Sequence, residues 1–347
     1  LAPFAVPLPQ SLKRAGYRTA LVGKWHLGET SSSLPQENGL DEFWGFPGPR
    51  LKSYFTPAKQ KGTAKGLWHN AEPLAVEGHA TDLFTGWAVD FIRDEAARGN
   101  PFFLYLPYNA PHSPLEARPD WLERVRRRFP DLKEGPANSI GLVEHLYESV
   151  GMVVEAIRTA GVSDRTLVIF TSDNGGRRGL TEPAGLRGGK GELYEGGLRV
   201  PCCAVWPGRI AAGSQSARLA LSMDLYPTIC EAAGAAYDAA MPAKSLLPTL
   251  LGKAQPADER ILVFTVPAGK TAGALAKLPL YACRQGDWKI VQSAPRAPME
   301  LYNLKDDPGE ENPLPTTLEA YGRLQEALQQ HLLRAKVLRQ SVGKEER

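Results

Sequence analysis

Four short stretches of this chain carry residue types that could do chemistry together. Lys24 and His26 are separated by Trp25 alone, so an irregular turn can aim a fixed cation and a titratable imidazole into one pocket. His112 lies in Pro111-His112-Ser113-Pro114, where flanking prolines stiffen the loop as a general acid requires. Asp173-Asn174 sets a carboxylate beside an amide carbonyl, both oxygen ligands suited to Ca²⁺ or Mg²⁺. Gly175-Gly176 permits a tight turn around an ion. Lys190 stands in Arg187-Gly188-Gly189-Lys190-Gly191, where glycines let the backbone approach an anion. It is not a Walker loop, because the G-x-x-x-x-G-K-[ST] spacing is absent. Singly, each stretch also has an ordinary reading: a solvated lysine, a histidine satisfied in the core, an Asx turn. Together, two lysines, two histidines and one hard-metal pair suit a tetrahedral oxyanion, meaning sulfate or phosphate ester chemistry.

Something must bring these stretches together, and the pattern around them supplies it. Tyr17 to Val22, Phe102 to Leu106 and Thr166 to Thr171 read as buried strands, and each ends directly in one of the polar clusters. Helices are predicted between them, from Pro9 to Ala15, from Asp82 as N-cap to Arg98, and from Ser139 to Ala160. In the last, Leu142, Leu146, Val150, Val153, Val154 and Ile157 form one stripe. Residues 30–80 show no clear period. Arg199 to Trp206 reads as a strand and Met223 to Ala233 as a helix. Strands alternating with helices predict an open α/β sheet with helices on both faces, and such sheets bind ligands at the carboxyl ends of their strands. Beyond about Gly252 the character changes to short strands, Ile261 to Val266, Leu280 to Cys283, Trp288 to Gln292 and Glu300 to Leu304. They predict a small antiparallel sheet closed by a helix from about Thr317 to Leu338. The expected division is a catalytic α/β domain over 1–253 and a C-terminal subdomain over 254–347.

Composition excludes several classes. At 347 residues with 43% hydrophobic and 23% charged, the chain is globular. The charge, 41 − 38 = +3 with both signs mixed, gives no argument for nucleic acid. The run Arg124 to Arg128, after Trp121-Leu122-Glu123, reads as the solvated face of a short helix. No apolar run approaches the ~18 residues of a membrane span. Cys202, Cys203, Cys230 and Cys283 show no zinc or redox spacing and read as buried free thiols.

The clusters are also recognisable as a set. Gly16-Tyr17-Arg18-Thr19-Ala20-Leu21-Val22-Gly23-Lys24-Trp25-His26-Leu27-Gly28 resembles a sulfatase signature nearly residue for residue. Asn109-Ala110-Pro111-His112-Ser113-Pro114 resembles the family's histidine loop, and Thr171-Ser172-Asp173-Asn174-Gly175 its metal-binding segment. Gly189-Lys190-Gly191 with Tyr194-Glu195-Gly196-Gly197-Leu198-Arg199-Val200-Pro201 is similar to its second lysine loop. Arg284-Gln285-Gly286-Asp287-Trp288-Lys289-Ile290 and Glu300-Leu301-Tyr302-Asn303-Leu304 resemble its C-terminal hallmarks. The order matches along essentially the whole chain.

The resemblance implies an alkaline-phosphatase-like fold, a mixed and mostly parallel sheet with a C-terminal antiparallel subdomain. It implies hydrolysis of sulfate monoesters, from a sulfated small molecule or carbohydrate, at a Ca²⁺ site, with Mg²⁺ the poorer fit. It implies a nucleophilic formylglycine made from a cysteine or serine. By motif, Asp173 and Asn174 would bind Ca²⁺, Lys24 and Lys190 would hold sulfate oxygens, His26 would position the formylglycine, and His112 would serve the leaving alcohol. Export, or delivery to a lysosome, is the family's habit.

One departure is large. The family's formylglycine motif and an aspartate pair of its metal site are expected upstream of Lys24, and Leu1 to Gly23 contain neither. Ser214-Gln215-Ser216-Ala217-Arg218 fits the motif loosely but falls in the wrong chain order. Leu1 to Pro7 lacks an initiator Met and the pattern of a signal peptide. The expectation is an incomplete fragment, inactive when expressed alone. A non-catalytic sulfatase-like binding protein and a phosphate or phosphonate monoester hydrolase are the alternatives.

Overall fold

The computed structural model describes residues 6–30, 33–56, 66–177, 185–267 and 280–345, with side chains described through residue 335. Two compact units emerge. The first comprises Leu1–Val168, Ala204–Ser216 and Ala220–Ala254, and the second Ile169–Cys203, Ala217–Leu219 and Gln255–Arg347.

The first unit is built on a five-stranded mixed sheet of order β4-β3-β2-β1-β5, formed by β1 (Arg18–Lys24), β2 (Glu42–Phe46), β3 (Trp68–His69), β4 (Glu72–Pro73) and β5 (Phe102–Tyr105). β1 pairs in parallel with both β2 and β5, while β2–β3 and β3–β4 are antiparallel. β1 is central, and Ala20, Leu21 and Val22 are wholly buried, which accounts for its unbroken apolar run. α1 (Leu8–Arg14) precedes it, with Leu12 packed against Cys230 of α6 (Leu225–Ala233). α2 (Ala80–Arg98) buries Ala88, Val89 and Ile92 against Val153, Ala156 and Ile157 of α4 (Glu134–Thr159). Each large aliphatic side chain so buried contributes about 1.5–3 kcal/mol. α3 (Pro119–Arg128) carries the basic run, with Arg128 paired to Glu144 and Arg124 over the Trp121 ring. That is the solvated face expected.

The second unit holds a four-stranded antiparallel sheet of order β11-β10-β9-β8. Its strands are β8 (Leu262–Val266), β9 (Leu280–Gln285), β10 (Trp288–Gln292) and β11 (Met299–Asn303). The terminal helix, Glu319–Glu345, buries Leu324 and Leu328 against Cys283, Ile290 and Leu301. β6 (Val168–Thr171) and β7 (Cys202–Val205) form a separate two-stranded sheet, and a short helix, α5 (Glu195–Leu198), precedes β7.

Several local expectations are corrected. The stretch 30–80 contains β2, which pairs along the whole of β1 from Ala20↔Glu42 to Lys24↔Phe46. Its five residues include Gly45 and lie among prolines, so no period shows. The N-cap of α2 is His79, whose side chain accepts from the Thr81 amide, and Asp82 sits in the first turn. α4 starts at Glu134, five residues before Ser139, and Val154 is exposed rather than part of the buried stripe. Cys230 and Cys283 are buried, but Cys202 and Cys203 are exposed. Tyr105 and Phe170 are exposed too, because β5 ends its sheet and, among the described residues, β6 pairs with β7 alone.

Candidate active site

In the first unit, the parallel pairing of β1 with β5 sends both chains out of the same edge of the sheet. Lys24 closes β1, and its amide donates to the Pro107 carbonyl just beyond β5 at 2.9 Å. A side chain on Gly23 would place its Cβ 2.3 Å from that carbonyl oxygen, and Gly23 has φ +130°, so only glycine permits this approach. The Lys24 turn and the His112 loop are therefore neighbours. Trp25 and His26 continue from β1 by donating to the Phe46 and Pro47 carbonyls, and the Trp25 indole N–H donates to Ser33. This leaves Trp25 buried and His26 exposed. His26 has φ +58°, a left-handed conformation costing a non-glycine residue of order 1 kcal/mol. Such strain persists where the surroundings hold the residue in place.

His112 is fixed from both sides. Its amide donates to the Asn109 carbonyl at 2.8 Å, and its own carbonyl accepts from the Tyr54 hydroxyl at 2.9 Å. Nδ1 is 2.8 Å from the Ser113 carbonyl. A carbonyl only accepts, so Nδ1 carries the hydrogen, which fixes the orientation of the ring.

Beneath this loop lies a polar layer not foreseen from the sequence. Tyr54 is wholly buried and stacks on His79 with ring centroids 5.1 Å apart. Burial holds its phenol far above the ordinary range. The Tyr54 amide and Ser53 hydroxyl donate to the Glu116 carboxylate, and the His79 ring donates through Nε2 to the Glu116 carbonyl at 3.0 Å. Burial pushes the His79 pKa down. His145 meets Asp82 at 2.8 Å, and Arg118 holds both Asp82 oxygens at 3.1 and 3.2 Å.

The ligand atoms of His79, Asp82 and His145 lie within 4.8 Å of one another, so by spacing the group could hold a metal ion. Its bonding favours a different role. Both His79 nitrogens are engaged, and the Arg118 guanidinium already neutralises Asp82. These residues serve as the packed floor of the 110–118 loop. A Gly-His-Ala-Thr-Asp run before a helix was the one available signal, and it reads more readily as a capping sequence.

In the second unit, Asp173 and Asn174 follow β6, and backbone hydrogen bonds tie their segment to the Lys190 loop. The Gly175 amide donates to Gly197 at 3.1 Å, and the Lys190 amide donates to Gly176 at 2.8 Å. A Cβ on Gly175 would fall 1.8 Å from the Gly196 carbonyl oxygen, so the two segments touch backbone to backbone. Lys190 is exposed, while Leu193, Tyr194 and Glu195 behind it are buried. Asp173 is exposed and Asn174 half-buried. One carboxylate and one amide oxygen suit a hard cation, yet supply two of the about six to eight oxygens that Ca²⁺ takes. The structure thus brings Lys24, His26 and His112 together in one unit, and Asp173, Asn174 and Lys190 together in the other.

A family model described as Sulfatase matches residues 2–235, and one described as N-sulphoglucosamine sulphohydrolase, C-terminal, matches residues 189–338. The chain belongs to the sulfatase family. This sulfatase chain is 36% identical to N-acetylgalactosamine-6-sulfatase of Mus musculus over 74% of its own length and 51% of that protein. It is 32% identical to arylsulfatase A of Homo sapiens over 88% of its length and 66% of that protein. The sulfatase chain therefore spans about half the length of the first of these relatives. Among solved structures, Ps i-CgsB in complex with k-i-k-neocarrahexaose superposes with a TM-score of 0.82 at 27% identity, covering 93% of this chain and 73% of that one. A sulfatase from Pseudoalteromonas sp. gives a TM-score of 0.74 at 23% identity, covering 95% and 73%. The fold is that of the alkaline-phosphatase-like sulfatases. Among the described residues of this sulfatase, no helix is long and apolar enough to cross a membrane.

Proposed function

We propose that the chain carries the sulfate-handling residues of a sulfuric ester hydrolase whose substrate is a sulfated carbohydrate. The observation that carries the reading is that three of the candidate clusters leave the C-terminal end of a strand, while Lys190 lies in the loop before α5. Lys24 closes β1, His112 follows β5, and Asp173 with Asn174 follows β6. The relatives add the substrate class, since one is a sulfatase named for N-acetylgalactosamine and one solved neighbour is complexed with a neocarrahexaose. In domain terms, 1–253 would carry the catalytic work and 254–347 would form the C-terminal subdomain.

The roles follow from the chemistry of the ester. Lys24 and Lys190 would each supply ammonium donors to sulfate oxygens, as charge-assisted hydrogen bonds. As the ester S–O bond breaks, negative charge grows on the alcohol oxygen. His112, its ring held by Nδ1–H to Ser113, delivers a proton from Nε2 when the imidazole is charged. Asp173 and Asn174 would hold Ca²⁺ in preference to Mg²⁺, which demands a stricter octahedron; the ion would supply positive charge to the sulfate oxygens. The loose match at Ser214 to Arg218 falls in the wrong chain order for the formylglycine motif, so His26 is assigned a positioning role and the nucleophile is assigned to no residue here.

The test is release of inorganic sulfate by the natural full-length protein from sulfated saccharides, including N-acetylgalactosamine 6-sulfate. Release from saccharides supports the reading. Cleavage of aryl sulfates with no release from any sulfated saccharide defeats its carbohydrate part.

A further inference from the structure

The second unit contains a buried ionic cluster that none of the assigned roles uses. The Lys289 ammonium, wholly buried on β10, lies 2.9 Å from Glu195 Oε1 and 2.8 Å from Glu310 Oε1. Arg284 of β9 reaches Glu195 Oε2 at 3.2 Å, and the Glu195 amide donates to Glu310 Oε2 at 2.5 Å. Two cations face two carboxylates. Burial pushes the Glu310 carboxyl up, and Lys289 draws it back down. Buried pairs of this kind give little net stability, because desolvation offsets their attraction, but losing one partner strands the other.

Glu195 stands at one end of the Lys190 loop. At the other end, Arg187 donates to Glu300 and Tyr302 of β11 at 3.2 and 2.8 Å and to the Glu310 carbonyl at 2.9 Å. Its guanidinium lies 3.9 Å from the Tyr194 ring centroid, and Tyr194 in turn donates to Glu300 at 2.8 Å. The Gly196 amide closes the loop onto the Arg187 carbonyl at 2.7 Å. The strap from Arg187 to Glu195 is thus anchored at both ends to the C-terminal sheet, with exposed Lys190 between the anchors.

We infer that the C-terminal antiparallel sheet is a positioning template for Lys190, acting through Glu195, Lys289 and Glu310 at one anchor and Arg187 at the other. Through Lys190–Gly176 and Gly175–Gly197 it also holds the Asp173-Asn174 segment. The inference rests on the proposed role of Lys190 in holding sulfate.

The experiment compares Glu195→Gln and Arg187→Lys in the natural full-length protein, each with Lys190 intact and with Lys190→Ala. A displacement of about 1 Å in a positioned group costs about 10²-fold. Glu195→Gln should lower kcat/KM for an aryl sulfate by about that factor and Arg187→Lys by a smaller one. Both losses should vanish in the Lys190→Ala background. Amide hydrogen exchange over residues 187–198 should quicken in both variants while β1 and α2 keep their protection. Equal losses in both backgrounds, or unchanged exchange over 187–198, would overturn the inference. Should Glu195→Gln fail to fold, Arg187→Lys decides by the same comparison. A Lys190→Ala protein with full activity would instead defeat the proposed role of Lys190, and the exchange measurement would still decide whether the sheet holds the loop.

Discussion

The buried hydroxyl of Tyr54 donates to the main-chain carbonyl of His112 across 58 residues of sequence, at 2.9 Å. It makes the placement of the proposed proton donor depend on the polar layer below. Tyr54→Phe keeps the packing and leaves that carbonyl without its partner, a cost of about 1 kcal/mol in stability. If His112 serves the leaving alcohol, His112→Ala should harm poorly activated alkyl sulfates far more than aryl sulfates, which need less proton donation. Tyr54→Phe should show the same ordering more weakly. Equal losses on both substrate types would remove the proton-transfer role and leave simple orientation.

Gly175 offers a sharper structural test. Its missing Cβ is what lets the Asp173-Asn174 segment meet the Gly196 carbonyl, 1.8 Å from where that atom would stand. Gly175→Ala must push the two segments apart, since both sides are backbone. The expected result is a thermal midpoint lower by several degrees and a loss of sulfatase activity larger than that of a surface alanine substitution. Unchanged stability and activity would show that the two segments do not need this approach.

His79 makes stability depend on pH in a definite direction. Burial holds its folded pKa below the unfolded value of 6.5, so the unfolded chain takes up the proton first. The unfolded state then binds more protons, and stability rises with pH through this window. The contribution is present above about the unfolded pKa and is lost as pH falls through it toward the depressed folded value. Urea denaturation at pH 7.5, 6.5 and 5.5 should show the wild type losing stability on acidification more steeply than His79→Asn. Parallel curves would mean that the His79 imidazole is no harder to charge in the fold than outside it.

What could be read in advance divides by range along the chain. An apolar stripe announced α4, alternation announced β10 and β11, a capping residue and a Gly-Asn-Pro break announced α2, and the apolar run of Ala20 to Val22 announced the central strand. β2 escaped because Glu42-Phe43-Trp44-Gly45-Phe46 gains its strand character from pairing with β1. The candidate groups Lys24, His26, His112, Asp173, Asn174 and Lys190 were legible because their chemistry is local to a turn. The groups that hold them were not. Tyr54 serves His112 from 58 residues away, and Lys289 meets Glu195 across 94. No spacing rule links such partners, and a lysine in a strand or a tyrosine in a glycine-rich stretch carries no mark of its task. The exposure of Cys202 and Cys203 was hidden for a similar reason, since it depends on what lies beside β7 rather than on the thiols themselves.

The central proposal is that the Lys24 and Lys190 ammonium groups each serve the hydrolysis of a sulfate ester. The most direct measurement is kcat/KM of the natural full-length protein, in Ca²⁺ buffer, for an activated aryl sulfate and for the matching aryl phosphate, with Lys24→Ala and Lys190→Ala alongside. The account predicts sulfate release in the wild type, preference for the sulfate ester, and a loss of about 10²–10³-fold on removing either ammonium. Faster cleavage of the phosphate ester, or sulfate release that survives both substitutions unchanged, would contradict it.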